Sequence, residues 1–192
     1  NGLLREAREL AGENLTRLSS ALREGTYIVG GEPSCLLTLR DEYPDLMVGE
    51  ESRHLADSVF LLEEFLVHLK EKGKLDLPLR KLPGRALFHG HCHQKSLVGS
   101  GPSLEVLKLI PGLEVEEIPS GCCGMAGAFG YQKEHYDISL AIGGMKLFPA
   151  IKESNEDTYV IANGVSCRQQ IDHGTGRQAR HLVEFLADAI EK

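Results

Sequence analysis

Three short apolar runs, RALFHG (residues 85–90), LEVEEIP (113–119) and TYVIAN (158–163), alternate with helical patterns such as SLEVLKLI (103–110) and HLVEFLADAI (181–190). A strand reaches a parallel neighbour only through a crossover, so alternation of this kind leads to a parallel sheet. The expected fold class is α/β, with Rossmann-like parallel sheets and flanking helices. Upstream, GENLTRLSSALREG (12–25) reads as a helix stopped by Gly25, TYIVGG (26–31) as a strand, and PSCLLTLRDEY (33–43) as a helix with proline in its first turn. SRHLADSVFLLEEFLVHLKEKG (52–73) reads as one long amphipathic helix ending at Gly73. QKEHYDISLAIGGMKLF (132–148) reads as a single helix weakened by its paired glycines.

The two halves share a pattern. TYIVGGEPSC (26–35) and TYVIANGVSC (158–167) both read Thr-Tyr, two β-branched residues, four variable positions, then Ser-Cys. RHLADSV follows the first and RHLVEFL the second, in the same order. The implied unit is about 130 residues long. The chain is therefore expected to hold the end of one module, residues 1–72, and a complete second module, residues 73–192, with KGKLDLPLRKLPG (72–84) as the linker candidate. The start NGLLREAREL, without methionine, fits a cut within a longer polypeptide.

Bulk properties narrow the function classes. A net charge of −7 argues against nucleic acid as a partner, because phosphate binding needs a basic face. No apolar run reaches the length of a membrane span, since SVFLLEEFLVHL is broken by two glutamates. Five irregularly spaced cysteines suit a reducing compartment and metal chemistry better than a disulfide framework. The expected setting is the cytoplasm, or the periphery of the inner membrane.

The cysteines fall at equivalent places. Cys92 follows the strand pattern RALFHG, Cys122 and Cys123 follow LEVEEIP, and Cys167 follows TYVIAN. Carboxyl ends of parallel strands line one edge of a sheet, where ligands characteristically bind. Three distant segments would thus bring four thiols to one place. Taken singly, each cysteine reads as a small buried hydrophobe; four at equivalent strand ends, two of them adjacent, read as a metal site. Helix N-termini there favour thiolate, and Gly121, Gly124 and Gly127 let backbone N–H groups approach sulfur. Four thiolates suffice for a [4Fe–4S] cluster or a tetrahedral zinc. The local Cys-x-x-Cys spacing of small zinc modules is absent, which leans towards iron–sulfur. Cys35 occupies the corresponding strand end of the first module and reads equally as an orphaned ligand or a structural thiol.

HCHQKSL (91–97), SGCCGMAGAFGY (120–131) and SCRQQI (166–171), in that order, resemble the cysteine-rich CCG domain. That domain occurs in the iron–sulfur subunit of glycolate oxidase, in a heterodisulfide reductase subunit and in lactate-utilisation proteins. EPSCLLTLRDEYPDL (32–46) and LIPGLEVEEIPSGCCGMAGAFGYQKEHYD (109–137) look closer still to the C-terminal iron–sulfur part of bacterial FAD-linked D-2-hydroxy-acid dehydrogenases. The resemblance implies tandem CCG modules, metal ligation by Cys92, Cys122, Cys123 and Cys167, and a cluster that relays electrons from FAD. The FAD-binding domain or subunit would lie outside this chain, and the acceptor would be a quinone or a cytochrome. One departure stands out: the family's final Cys-x-x-Cys reads GVSC here, with Gly164 at its first position, and the first module has Glu32 in EPSC. The loss argues against clusters that need all five cysteines and leaves a four-ligand cluster or a zinc open.

HGHCHQK places His89, His91 and His93 at alternate positions, on one face if the segment stays extended. His91 and His93 are candidates for contact with a cofactor, a second metal or a substrate carboxylate, whereas His89 reads as a residue bonded to backbone at a crowded strand end. Lys95 and Arg168 beside the cysteines, and the acidic run EVEEI, read as solvated charges. No glycine fingerprint supplies a nucleotide or flavin site, so no catalytic residue is assigned and the fragment alone is not expected to turn over substrate. The alternatives to electron transfer are a zinc-stabilised interaction module and a thiol–disulfide switch at Cys122–Cys123.

Overall fold

A computed structural model describes residues 2–23 and 25–191. They divide into two compact units between Phe65 and Leu66.

The first unit opens with α1 (Leu4–Arg23), whose Ala11, Leu15 and Leu22 recur at helical spacing and are buried. A short strand β1 (Ile28–Gly30) leads into α2 (Pro33–Arg40), capped by the Glu32 carboxylate accepting from Ser34 N–H, and then α3 (Glu42–Leu46). The single long helix expected over residues 52–73 is not there. Instead α4 (Glu50–Ser58) gives way to β2 (Val59–Leu61) before α5 (Leu62–Glu71) begins. The reason lies in Val59-Phe60-Leu61, which pairs in parallel with Ile28–Gly30. Val59 and Leu61 are buried while Phe60 meets Tyr27 edge-on at 5.3 Å. A β-branched and aromatic triplet gains more from a strand partner than from one further helical turn.

The second unit is built on a three-stranded parallel sheet of order β4-β3-β5, with β3 (Gly84–His89), β4 (Leu113–Glu117) and β5 (Tyr159–Ala162). Ala86 pairs with Val115 on one side and Tyr159 on the other. Central strand β3 is buried from Ala86 to His89, as a strand covered on both faces must be. Edge strand β4 alternates instead: Glu114 and Glu116 are exposed, Glu116 paired with Arg85, while Glu117 on the other face is half-buried and accepts from Ser100 Oγ. Between β3 and β4 run α6 (Cys92–Leu97) and α7 (Gly101–Lys108). After β4 come a long loop, two 3-10 turns, α8 (Tyr136–Met145) and α9 (Leu147–Lys152). The helix expected over residues 132–148 is therefore interrupted, and its glycines explain part of it. A Cβ at Gly143 would lie 2.4 Å from the Phe148 ring, and one at Gly174 would lie 2.3 Å from it. Both glycines make room for that ring in the core.

The chain ends with α10 (Val165–Thr175), stopped by Gly176 in the left-handed region, and α11 (Leu182–Ala189). Residues 72–84 are not a free tether: Leu79 bridges to Ile190, and Arg80 N–H donates to Ala189 O. The core of this unit gathers Leu87, Ile118, Leu147, Phe148, Ile151, Val160 and Ile171, with Cys123 and Cys167 among them. Both Ser-Cys segments have the same local order. In each, a strand is followed by a short turn and a helix that carries the cysteine at its third position, Cys35 in α2 and Cys167 in α10.

Candidate metal centre

All three strands of the larger sheet run parallel, so their carboxyl ends open onto one edge. β3 ends at His89, and the next residues turn at once into α6. The His91 side chain caps that helix, its Nδ1 accepting from His93 N–H at 3.2 Å. The segment thus does not stay extended, and the three histidines do not share a face: His89 belongs to the strand, His91 to the cap and His93 to the helix. Cys92 is the first residue of α6 and is exposed, Cys122 is half-buried, and Cys123 and Cys167 are buried. The four form a ladder from the surface into the core. All five cysteines of the chain are free thiols.

The thiols interact in sequence, Cys92 with Cys122, Cys122 with Cys123, and Cys123 with Cys167. Proton sharing along this row sets the charge. The bond from Cys123, and then that from Cys92, drives the Cys122 thiol far below its ordinary range. The same bond to Cys122, with burial behind it, pushes Cys92 and Cys123 well up. Cys167 is pulled down to about 5, first by the bond from Cys123 and then by the neighbouring His89 against the cost of burial. The row thus shifts Cys122 and Cys167 toward the thiolate, the form that ligates metal.

Backbone N–H groups converge on the same sulfurs. Gly124 N–H donates to Cys122 Sγ at 3.2 Å, and Ala126 N–H adds a second bond there. Met125 N–H serves Cys123 in the same way. Successive N–H groups turn inward because Gly124 (φ 102°), Ala126 (φ 39°) and Gly127 (φ 65°) all take positive φ. Ala126 is the one non-glycine residue described in that region, and its Cβ costs about 1–2 kcal/mol there. Ala126→Gly is expected to stabilise the fold by about 0.5–1 kcal/mol, after the added flexibility of the unfolded chain is deducted. Urea denaturation measures it, and an unshifted midpoint would mean the loop carries no strain at this residue. Gly121 has no such constraint, since a Cβ there would meet open space.

The basic residues are not solvated charges. Lys95 Nζ donates to Ser120 O and Gly121 O at 2.5 and 2.7 Å, which ties α6 to the cysteine loop. Arg168 Nη1 donates to Ala162 O and Asn163 O at the end of β5. Both cations sit on carbonyls beside the sulfurs, where positive charge offsets that of thiolates. Gly164, the position where the CCG pattern has its missing cysteine, is closed by packing. A Cβ there would lie 2.5 Å from the His91 ring and 3.1 Å from Cys167 Sγ.

His89 is the residue that the sequence pattern undervalued. It is fully buried, and its Nδ1 is bonded at 2.8 Å to the Ser120 hydroxyl rather than to backbone. Its other ring nitrogen, Nε2, has no partner of good hydrogen-bond geometry. One nitrogen of His89 and the sulfurs of Cys123 and Cys167 lie within 4.8 Å of one another. Only the strand-end position hinted at this. By contrast, Cys35 is exposed and belongs to no such group among the described residues.

The donor set fits a thiophilic metal: soft sulfurs, a buried imidazole with an orphaned nitrogen, and N–H groups aimed at the sulfurs. A family model for the cysteine-rich CCG domain matches residues 86–172, which contain the whole site. The chain is 35% identical over 191 residues to an anaerobic glycerol-3-phosphate dehydrogenase subunit of Escherichia coli (strain K12), covering 99% of this chain and 47% of that protein. It is 29% identical to the D-2-hydroxyglutarate dehydrogenase of the same strain, over 99% of this chain and 18% of the relative. Lactate utilization protein A 2 of Bacillus cereus (strain AH820) is 28% identical, over 92% of this chain and 75% of that protein. The chain thus spans about half the length of the first of these relatives and under a fifth of the second. No solved structure matches. No helix among the described residues is long and apolar enough to cross a membrane.

Proposed function

We propose that this chain is the iron–sulfur electron-transfer part of a FAD-linked dehydrogenase, relaying electrons from reduced flavin to an acceptor. The observation that carries it is the convergence of Cys92, Cys122, Cys123 and Cys167 from three strand ends into one contacting row. A cluster bound there would supply one-electron redox chemistry. The chain's own contribution is to bring the four sulfurs together, to aim N–H groups at them, and to bury one end of the row while Cys92 stays at the surface. Hydrogen bonds to sulfur and limited solvent exposure are the levers that set a cluster's potential.

The named relatives support a dehydrogenase context. Two names, D-2-hydroxyglutarate and lactate, point to 2-hydroxy acids, whereas glycerol 3-phosphate is a phosphorylated polyol. The substrate class proposed for the parent enzyme is therefore a secondary alcohol, with 2-hydroxy acids of the lactate or glycolate type as the narrower choice. Its oxidation would take place at FAD on a partner domain or subunit, and a quinone or cytochrome would receive the electrons. The proposed organisation is the end of one Rossmann-like CCG module, residues 1–72, followed by a complete one, residues 73–192. The equivalent strand–turn–helix settings of Cys35 and Cys167 support it. Gly121, Gly124, His91 and His93 are proposed to face the cofactor, with the N–H of Gly124 as the best supported of these contacts.

A zinc-stabilised interaction module is the second reading, favoured by the close spacing of His89, Cys123 and Cys167. Anaerobic reconstitution with iron and sulfide separates the two. The expected product is brown, bleaches on reduction, and regains its colour when an oxidised quinone is added. A protein that incorporates no sulfide, or whose cluster cannot be reduced by photoreduced flavin, would end the electron-transfer reading.

A further inference from the structure

We propose that a cavity beside the cysteine loop, between it and helices α8 and α10, binds the ring of a quinone. The inference rests on the electron-transfer reading for its redox meaning, whereas the binding site stands on the cavity itself. The cavity has a volume of about 410 Å³, inside the roughly 300–1,000 Å³ usual for small-molecule sites. Met125, Tyr131 and Tyr136 line it from the loop and the start of α8, and Gln169, Asp172 and His173 line it from α10. Tyr131, Asp172 and His173 are exposed, so it opens to solvent.

The walls are fixed without a ligand. Phe129 and His135 stack with ring centroids 4.2 Å apart, which pins the segment that carries both tyrosines. Gly130 N–H donates to Met125 O at 2.9 Å, and a Cβ at Gly130 would lie 2.6 Å from Met125 Sδ, so glycine lets this turn close against Met125. Two contacts then tie the segment to α10. The Tyr131 hydroxyl donates to Gln169 Oε1, and the Tyr136 and His173 rings meet edge-on at 6.4 Å.

The lining selects the ligand. Aromatic rings and a thioether suit a flat apolar body. The Tyr131 hydroxyl, the Gln169 amide and the His173 imidazole supply hydrogen-bonding groups at its edge, as a ring bearing carbonyl oxygens requires. No lysine or arginine lines the cavity, and Asp172 adds a carboxylate. Anions find no partner there. That excludes 2-hydroxy acids, glycerol 3-phosphate and the phosphates of a flavin nucleotide, and a cytochrome is too large to enter. A neutral quinone ring meets every condition.

The position suits an acceptor. Met125 lies two residues beyond Cys123, and Gln169 lies two beyond Cys167 on α10. Met125, Cys123 and Cys167 belong to one packed cluster, so a ring in the cavity reaches the buried sulfurs through side chains in contact and short stretches of backbone. Conversion of a quinone to its quinol takes up two electrons and two protons. The electrons derive from the reduced flavin of the partner, and the protons from solvent at the exposed rim formed by Asp172 and His173.

The test uses the whole chain with its thiols reduced, and a fluorescent heptyl hydroxyquinoline N-oxide, a redox-inert quinone mimic that does not alkylate thiols. Its fluorescence should be quenched saturably at one molecule per chain, with or without metal. Of the five tyrosines, Tyr131 and Tyr136 should shift in ring NMR spectra, while Tyr27, Tyr43 and Tyr159 should not. His173→Leu and Tyr136→Ala should each weaken binding about 5–10-fold, the scale of one lost hydrogen bond or ring contact. Met145→Ser, at an exposed position of α8 outside the cavity, should leave affinity unchanged. Lactate, glycerol 3-phosphate and flavin mononucleotide should not displace the mimic. The proposal is overturned by an absence of saturable quenching, by shifts confined to the other tyrosines, by displacement with any of those anions, or by affinity untouched in both cavity variants. The wild-type spectra decide even if a variant fails to fold. A chain that binds the mimic at Tyr131 and Tyr136 but assembles no reducible cluster would end the electron-transfer reading and leave the ring site standing. A chain that assembles a reducible cluster but binds no mimic would do the reverse and leave a protein as the acceptor.

Discussion

Cys123→Ser is expected to abolish tight metal binding while leaving the sheet β4-β3-β5 folded. Cys123 stands in the middle of the sulfur row, in contact with both Cys122 and Cys167, so its loss separates the exposed end of the site from the buried end. A serine hydroxyl at neutral pH is neutral and hard, a poor substitute for a thiolate at a thiophilic site. The loss of affinity should exceed the 10–100-fold seen when an outer-shell partner is removed. The fold should tolerate the change. The side chain is buried beside Met125, but the burden of the core falls on Leu87, Ile118, Phe148 and Ile161, none of which is altered. Burying one hydroxyl costs about 1–3 kcal/mol, against the total of roughly 5–15 kcal/mol usual for a domain. Metal analysis and circular dichroism on the same sample check both halves. Full metal content in the variant would remove Cys123 from the ligand set. Global unfolding would mean that the metal is structural, which favours the zinc module.

Much of this architecture is readable in the residue pattern, because strands followed by turns and helices leave a strong periodic signal. The runs LEVEEIP and TYVIAN contain β4 and β5, and RALFHG covers all of β3 but its first residue. From there, the convergence of Cys92, Cys122, Cys123 and Cys167 follows from topology alone. What stayed hidden depends on partners distant in sequence. β2 lies inside a pattern with helical period and exists because β1 offers it a parallel neighbour. The break between α8 and α9 accompanies the packing of Phe148 against Gly143 and Gly174. His89 looked like an ordinary strand-end residue because its hydroxyl partner, Ser120, lies 31 positions away. Lys95 and Arg168 looked solvated because the carbonyls they bind belong to other loops or to the end of a strand. Local pattern thus reveals elements and their order, while side-chain pairing across the sheet edge decides the donor set.

Gly124→Ala is expected to do nearly as much damage to the site as removal of a cysteine, by a different route. Gly124 sits at φ 102°, outside the range that a residue with a Cβ readily adopts. An added Cβ would lie 2.1 Å from the backbone oxygen of Ser139 and 3.2 Å from Gln170 Nε2. Neither neighbour can yield easily. Ser139 O belongs to helix α8 and already accepts from Gln170 Nε2 at 3.1 Å, and both residues are buried. The loop must therefore lift away from α8, taking the Gly124 N–H off Cys122 Sγ and shifting the adjacent Cys123. Strain and overpacking together should lower stability by roughly 2–5 kcal/mol, and metal affinity should fall with the misplaced sulfurs. Gly121→Ala, three residues away in the same loop, is the matched control. A Cβ there meets open space, so stability should stay within about 0.5 kcal/mol and metal content should not change. If the two variants behave alike in denaturation and in metal analysis, the close approach of this loop to α8 is not what holds the sulfurs in place. If Gly124→Ala alone fails, the backbone path at Gly124 shapes the site as surely as the thiols do.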